Sequence, residues 1–231
     1  MDWPMKRKPE KHMPYYTVLD AFQKAKGCAL CELEAATTHR YLDFLLYESV
    51  NDPGVRENLL RSRGYCLRHA HLLLGFQNGL GTAILYQDQV RLFLDFLAGL
   101  QGLSAKVRRK KATVEWGRHD TCPACRLQHE GRDYRADVFL EGLGQEEMRA
   151  AFEAGPGLCV PHFSLVLGRA RDRERQQYLV QIAEKQFQSL LRELQEFCCK
   201  HDYRFRKEGF GKEGDSWIRA VRMMTGLRDV F

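Results

Sequence analysis

Apolar side chains recur along this chain at spacings of three and four residues, and nowhere in the sustained alternation of a strand. From Cys31 to Ser49 the positions Leu42, Leu45, Leu46 and Tyr47 fall on one broad helical face. Asn51-Asp52-Pro53 then reads as a stop and a restart. Asp52 suits the cap of the next helix and Pro53 its first turn, because a proline there gives up no hydrogen bond. That helix is expected to end near Gly64, and another to begin around Cys66. A longer helix over about 82–100 places Val90, Phe93, Leu94 and Leu97 in one stripe. Its counterpart over about 173–198 does the same with Ala183, Phe187, Leu190 and Leu194. A last short helix starting at Ser216 puts Trp217, Val221 and Met224 on one face. The pattern predicts an all-α protein.

Cysteine spacing adds an internal repeat. Cys28 and Cys31 form a C-x2-C, and Cys66 and His69 a C-x2-H. The same four residue types return in the same order as Cys122, Cys125, Cys159 and His162, displaced by 94, 94, 93 and 93 residues. Gly64 and Gly157 each stand two residues before the third cysteine. Leu45 and Leu46 correspond to Phe139 and Leu140, and Leu94 and Leu97 to Phe187 and Leu190. These matches read as a duplication giving two similar helical halves. The expected division is 1–103 as the first half with an N-terminal extension, 104–121 as a basic linker, 122–200 as the second half, and 201–231 as a tail with a short helix.

Three thiolates and one imidazole are the donors a tetrahedral zinc ion prefers. Residues i and i+3 share a helical face, so each C-x2-C and each C-x2-H supplies half of a coordination sphere. The sequence predicts two zinc ions per chain. One Cys3His site would clamp each half: Cys28, Cys31, Cys66 and His69 in the first, Cys122, Cys125, Cys159 and His162 in the second. Helix N-termini lower the pKa of a thiol, and Pro161 fits a first helical turn. Iron–sulfur clusters are also held chiefly by cysteine and stand as the alternative. Four protein donors leave no open position for water, which argues against zinc-catalysed hydrolysis.

The chain has 231 residues, 44% hydrophobic and 29% charged, an ordinary globular balance. Neither a secretory h-region nor a run of about 18 apolar residues is visible. The expected location is therefore the reducing cytoplasm, where eight cysteines call for an explanation other than disulfides. The formal net charge is +6. Lys106, Arg108, Arg109, Lys110, Lys111 and Arg118 face only Glu115 within residues 104–119. This segment reads as a solvated linker, with phosphate contact as its functional alternative.

The segments CALCELE, ESVNDPGVRENLLRSRGYCLRHAHLLL, CPAC, CVPHF, HDYRFRKEG and GDSWIRAV together resemble an uncharacterised bacterial family, a domain of unknown function. The resemblance covers nearly the whole chain. It implies the paired cysteine–histidine sites and no established activity. Some members carry a transporter-associated label, for which this sequence offers no membrane span.

Other residues carry less. Cys198 and Cys199 read as small apolar residues at a helix end, with a redox pair, or a third metal point with His201, as the alternative. His39, His119 and His129 lack counterparts at the repeat offset, and His71 is secondary to His69. Gly79-Leu80-Gly81 lacks the strand and third glycine of a dinucleotide site, and Gly209–Gly214 the order of a P-loop. Asp202-Tyr203-Arg204 and Asp215-Ser216-Trp217 suit equally a partner surface or a tail tied to the body. No serine–histidine–acid or paired-carboxylate arrangement is recognisable. The expected role is a non-enzymatic zinc-bound helical module that meets a protein or nucleic acid. Redox or electron-transfer chemistry on iron–sulfur clusters, or thiol-based sensing, is the alternative.

Overall fold

A computed structural model describes residues 13–117, 119–201, 209–228 and 230–231, apart from the side chains of Thr113 and Glu115. Among the described residues there are helices and turns but no strand. Their order is α1 (Met13–Lys24), α2 (Ala29–Phe44), α3 (Pro53–Arg61), α4 (Leu67–Leu74), α5 (Gly79–Ala98), α6 (Ala105–Lys110), α7 (Pro123–Gly142), α8 (Glu146–Ala154), α9 (Val160–Arg169), α10 (Arg173–Lys200) and α11 (Ser216–Thr225). A wider π-helical turn continues α2 over Leu45–Ser49, and another follows α6 over Lys111–Glu115.

Local chemistry explains several boundaries. Asp52 accepts the backbone N–H of Val55 at 2.8 Å, with Pro53 in the first turn of α3. Asn78 accepts from Gly81 N–H at 2.9 Å and starts α5 three residues before the expected 82. Asp172 accepts from Arg175 N–H at 2.7 Å to open α10. Each such cap satisfies an amide that the helix leaves without a partner. The α8 helix, which the sequence pattern did not isolate, buries Met148, Ala151 and Phe152.

The contacts form two compact units. One comprises the chain up to Ala35 together with Gly131–Phe231; the other is Ala36–Glu130. This replaces the expected succession of halves at 1–103 and 122–200. The boundaries fall inside α2 and α7, so each of these helices begins in one unit and ends in the other. The first unit is built around Phe22, Phe139 and Phe152. Phe22 stacks on Phe139 with ring centres 4.5 Å apart, and Phe152 meets Phe139 edge-on at 5.1 Å. Truncating any of these three buried phenylalanines to alanine should cost about 3–5 kcal/mol in such a core. The second unit packs Leu42, Leu45, Leu46, Leu59, Leu73 and Leu85.

Two apolar stripes face differently from what their spacing suggests. Val90, Phe93, Leu94 and Leu97 are exposed, and only Gly81 and Leu85 of α5 are buried. Phe93 and Phe96 instead flank Trp116 at 4.9 and 4.6 Å, beneath the guanidinium of Arg63. On α11, Trp217, Val221 and Met224 are also exposed, while Ser216 and Met223 turn inward. Periodicity identifies an apolar face but not whether anything lies against it.

Candidate metal centres

Each CxxC motif precedes or opens a long helix. Cys28 lies just before α2 and Cys31 in its first turn; Cys122 and Cys125 stand likewise at α7. Each CxxH sits at a short helix. Cys66 caps α4 and Cys159 caps α9, which places His69 and His162 one turn inside. The two approaching loops turn through glycines in the left-handed region, Gly64 at φ +86° and Gly157 at φ +93°. An L side chain is strained there. Asp120 N–H donates to Arg61 O at 3.0 Å, joining the segment before Cys122 to the end of α3.

The eight expected ligands assemble into two groups, but not by sequence half. Cys28, Cys31, Cys159 and His162 form one group, and Cys66, His69, Cys122 and Cys125 the other. Each C-x2-C therefore meets the C-x2-H of the opposite half. The expected pairing of neighbours fails because α2 and α7 carry the chain out of the unit in which their cysteines lie. Residues 66–69 belong to the other unit.

In the first group, His162 Nδ1 lies 3.4, 3.3 and 3.2 Å from the Sγ atoms of Cys28, Cys31 and Cys159. The Cys31 and Cys159 sulfurs are 3.6 Å apart. In the second, His69 Nδ1 lies 3.3, 3.6 and 3.4 Å from Cys66, Cys122 and Cys125, with Cys66 and Cys125 again 3.6 Å apart. Tetrahedral metal–sulfur bonds of about 2.3 Å place neighbouring sulfurs about 3.8 Å apart. Both donor sets therefore fit a single four-coordinate ion. All four ligands of the first group are buried, whereas Cys66 and Cys125 of the second are partly exposed.

The thiols influence one another. Hydrogen bonding to Cys159 and Cys28, reinforced by burial, pushes Cys31 up. Thiol hydrogen bonds from Cys28 and Cys31 hold Cys159 down at about 4. Burial and the neighbouring Cys122 push Cys125 up to about 12. At Cys66 burial works against ionisation, but the His69 backbone amide and the adjacent thiols outweigh it and lower the pKa. A bound cation would favour the thiolate at every sulfur.

Supporting residues distinguish the centres, and sequence reasoning missed them. Glu34 Oε1 lies 2.7 Å from His162 Nε2. Arg132 donates to both Glu34 oxygens at 2.9–3.1 Å and to the Val230 carbonyl at 3.0 Å. Burial opposes the Glu34 charge, but His162 and Arg132 hold its carboxyl below the usual carboxylate range. Phe231 packs against both His162 and Arg132. In the second unit the residue three positions after the CxxC is Gln128. Its side-chain oxygen accepts from Arg68 at 2.9 Å, and Arg68 also lies 4.0 Å from Cys125 Sγ. The available signal was this shared offset, since i and i+3 fall on one helical face.

The remaining candidates lie elsewhere. The His39 ring packs at a tilt against Phe76, and His119 Nδ1 lies 3.0 Å from the Asp120 carbonyl. Neither they, His71, His129, nor exposed Cys198 and Cys199 join a donor group among the described residues. His201 Nδ1 lies 2.9 Å from the Phe197 carbonyl. Lys106, Arg108, Arg109 and Lys110 are exposed on α6, and Lys111 is half-buried. Asp202–Arg204 and Arg118 lie outside the described residues. Arg219 ties Asp215 at 2.7 Å and also binds Glu193. Among the described residues, no helix is long and apolar enough to cross a membrane.

A family model described as a family of unknown function matches residues 11–230. The chain is also 26% identical, over 89% of its length and 98% of the relative's, to an uncharacterized 23.9 kDa protein in the xynA 3' region of Caldicellulosiruptor sp. (strain Rt8B.4). No solved structure matches significantly.

Proposed function

The chain belongs to the DUF6062 family of unknown function, and from that premise we propose that it is a zinc-bound helical interaction module acting through its surface rather than by catalysis. The carrying observation is the closure of two compact Cys3His donor sets, each with its imidazole Nδ1 directed at three sulfurs. Four donors complete a tetrahedral zinc ion and leave no place for a reacting water. Three thiolates and one imidazole are a donor set characteristic of structural zinc, and an iron–sulfur cluster, also held chiefly by cysteine, is the alternative. Zinc in the first centre would fasten α2 to α9, and in the second α7 to α4.

The partner is a protein or nucleic acid. Lys106, Arg108, Arg109, Lys110 and Lys111 offer cations on and just after α6, and phosphate is the chemistry they suit. A second reading, thiol-based sensing, draws on the second centre alone, where Cys66 and Cys125 are partly exposed and Arg68 lies beside a sulfur. Metal analysis of protein purified without added metal or oxygen tests the main reading. Two zinc ions per chain and no visible absorbance are expected. Iron with sulfide would overturn it.

A further inference from the structure

We propose that the first unit binds a small amphipathic anion, an apolar body bearing a carboxylate, sulfonate or phosphate group, in the cleft between α10 and α11 beside Cys28 and Cys31. The cleft encloses about 360 Å³, within the range of about 300–1,000 Å³ typical of small-ligand sites. It does not depend on which ion the adjacent centre holds.

Its apolar wall comes from two helical faces. Phe187 and Leu190 stand one turn apart on α10, and Met223 and Leu227 lie in and just after α11. Phe187 and Leu190 belong to the stripe that the sequence marks, and they remain half-buried because they border this space. A hydrocarbon or ring laid between these faces would remove their apolar surface from water.

The charges select the sign of the ligand. Four cations and three acids line the cleft. Every acid is engaged: Glu193 binds Arg219, Glu153 accepts the Tyr178 hydroxyl at 2.8 Å, and Glu32 accepts the backbone amides of Lys26 and Gly27 at 3.2 and 3.3 Å. Lys26, Lys185 and Arg222 have no carboxylate within ion-pair distance among the described residues. Three uncommitted cations beside an apolar wall suit one anionic group and a nonpolar remainder. An ion held by three thiolates at the base of the cleft would carry net negative charge if divalent, so the anionic group belongs with Lys185 and Arg222 rather than against the sulfurs.

The probe is anilinonaphthalene sulfonate, titrated by fluorescence into the metal-loaded full chain, with neutral phenylnaphthylamine as its control. Saturable one-to-one binding is expected. Lys185→Gln with Arg222→Gln should weaken the sulfonate about tenfold or more, the scale of lost charge-assisted hydrogen bonds, and leave the neutral dye unaffected. Ser189→Trp, at an exposed lining position, should block both dyes. Metal content and melting temperature, measured in parallel, identify any variant that has failed to fold. Absence of saturable binding, sulfonate binding indifferent to the paired charge change, equal weakening of both dyes, or binding that survives Ser189→Trp would each overturn the proposal.

Discussion

The Nε2 atom of His162 lies 2.7 Å from Glu34 Oε1, and neither side chain reaches solvent. A carboxylate that accepts from Nε2 fixes the tautomer and leaves Nδ1 free to face the three sulfurs. Glu34→Ala should therefore weaken metal binding at the first centre about 10–100-fold. It also strips Arg132 of its carboxylate partner. Glu34→Gln keeps an acceptor for the imidazole and should lose less. Competition with a chromophoric chelator separates the two ions, and the second should be unchanged. Equal affinity at the first centre in wild type and Glu34→Ala would remove Glu34 from this role.

Gly64 and Gly157 take the same left-handed turn but have different surroundings. A Cβ at Gly64 would meet its nearest neighbour, the Gln89 side chain, at 3.8 Å, whereas at Gly157 it would overlap Gln186 at 2.2 Å. Gly64→Ala should destabilise by about 1–2 kcal/mol from backbone strain alone. Gly157→Ala should cost more, because Gln186 must also move from its bonds to the Phe152 and Gly155 carbonyls. Denaturant unfolding with metal present measures both. The reverse order would show that Gln186 gives way freely.

Lys200 and the Gly211 amide hold the Glu213 carboxyl down at about 2. A depressed carboxyl stabilises the fold above its unfolded pKa, and this contribution is lost as pH falls through the folded value. Glu213→Gln should lower the melting temperature at pH 7. The difference from wild type should shrink below about pH 4.5 and be nearly gone near pH 2, given an ordinary glutamate pKa close to 4.3. Comparing the two proteins at each pH cancels acid release of metal, which is common to both. A constant difference across that window would remove the ion pair as its cause.

If α6 contacts a nucleic acid backbone, affinity should fall steeply with salt. Neutralising Lys106, Arg109 and Lys110 to glutamine should flatten the dependence of log K on log salt by about 0.9 for each phosphate contact removed from a duplex. An unchanged slope would place any such contact elsewhere.

The sequence made several helices and the eight residues of the two donor groups legible because each rests on local spacing. Asp52-Pro53 marks a helix start in the residues themselves, and C-x2-C brings two donors onto one face. Assembly is not local. The change of unit inside α2 and α7 has no mark in the spacing of the cysteines, which by itself suggests pairing of neighbours in sequence. The stripe at Val90–Leu97 has the period of a buried face, yet its covering depends on distant elements. Glu34 and Gln128 share an offset from their cysteines, but only the fold brings Arg132 and Arg68 to them.

Metal content of two double variants tests the exchanged pairing most directly. Cys28→Ser with Cys159→Ser removes two donors from the same centre, so about one ion per chain should remain. Cys28→Ser with Cys66→Ser removes one donor from each centre, so both should bind weakly and lose their ions to a chelator. If the first variant loses both ions while the second keeps one, the ligands pair within sequence halves and the account is wrong.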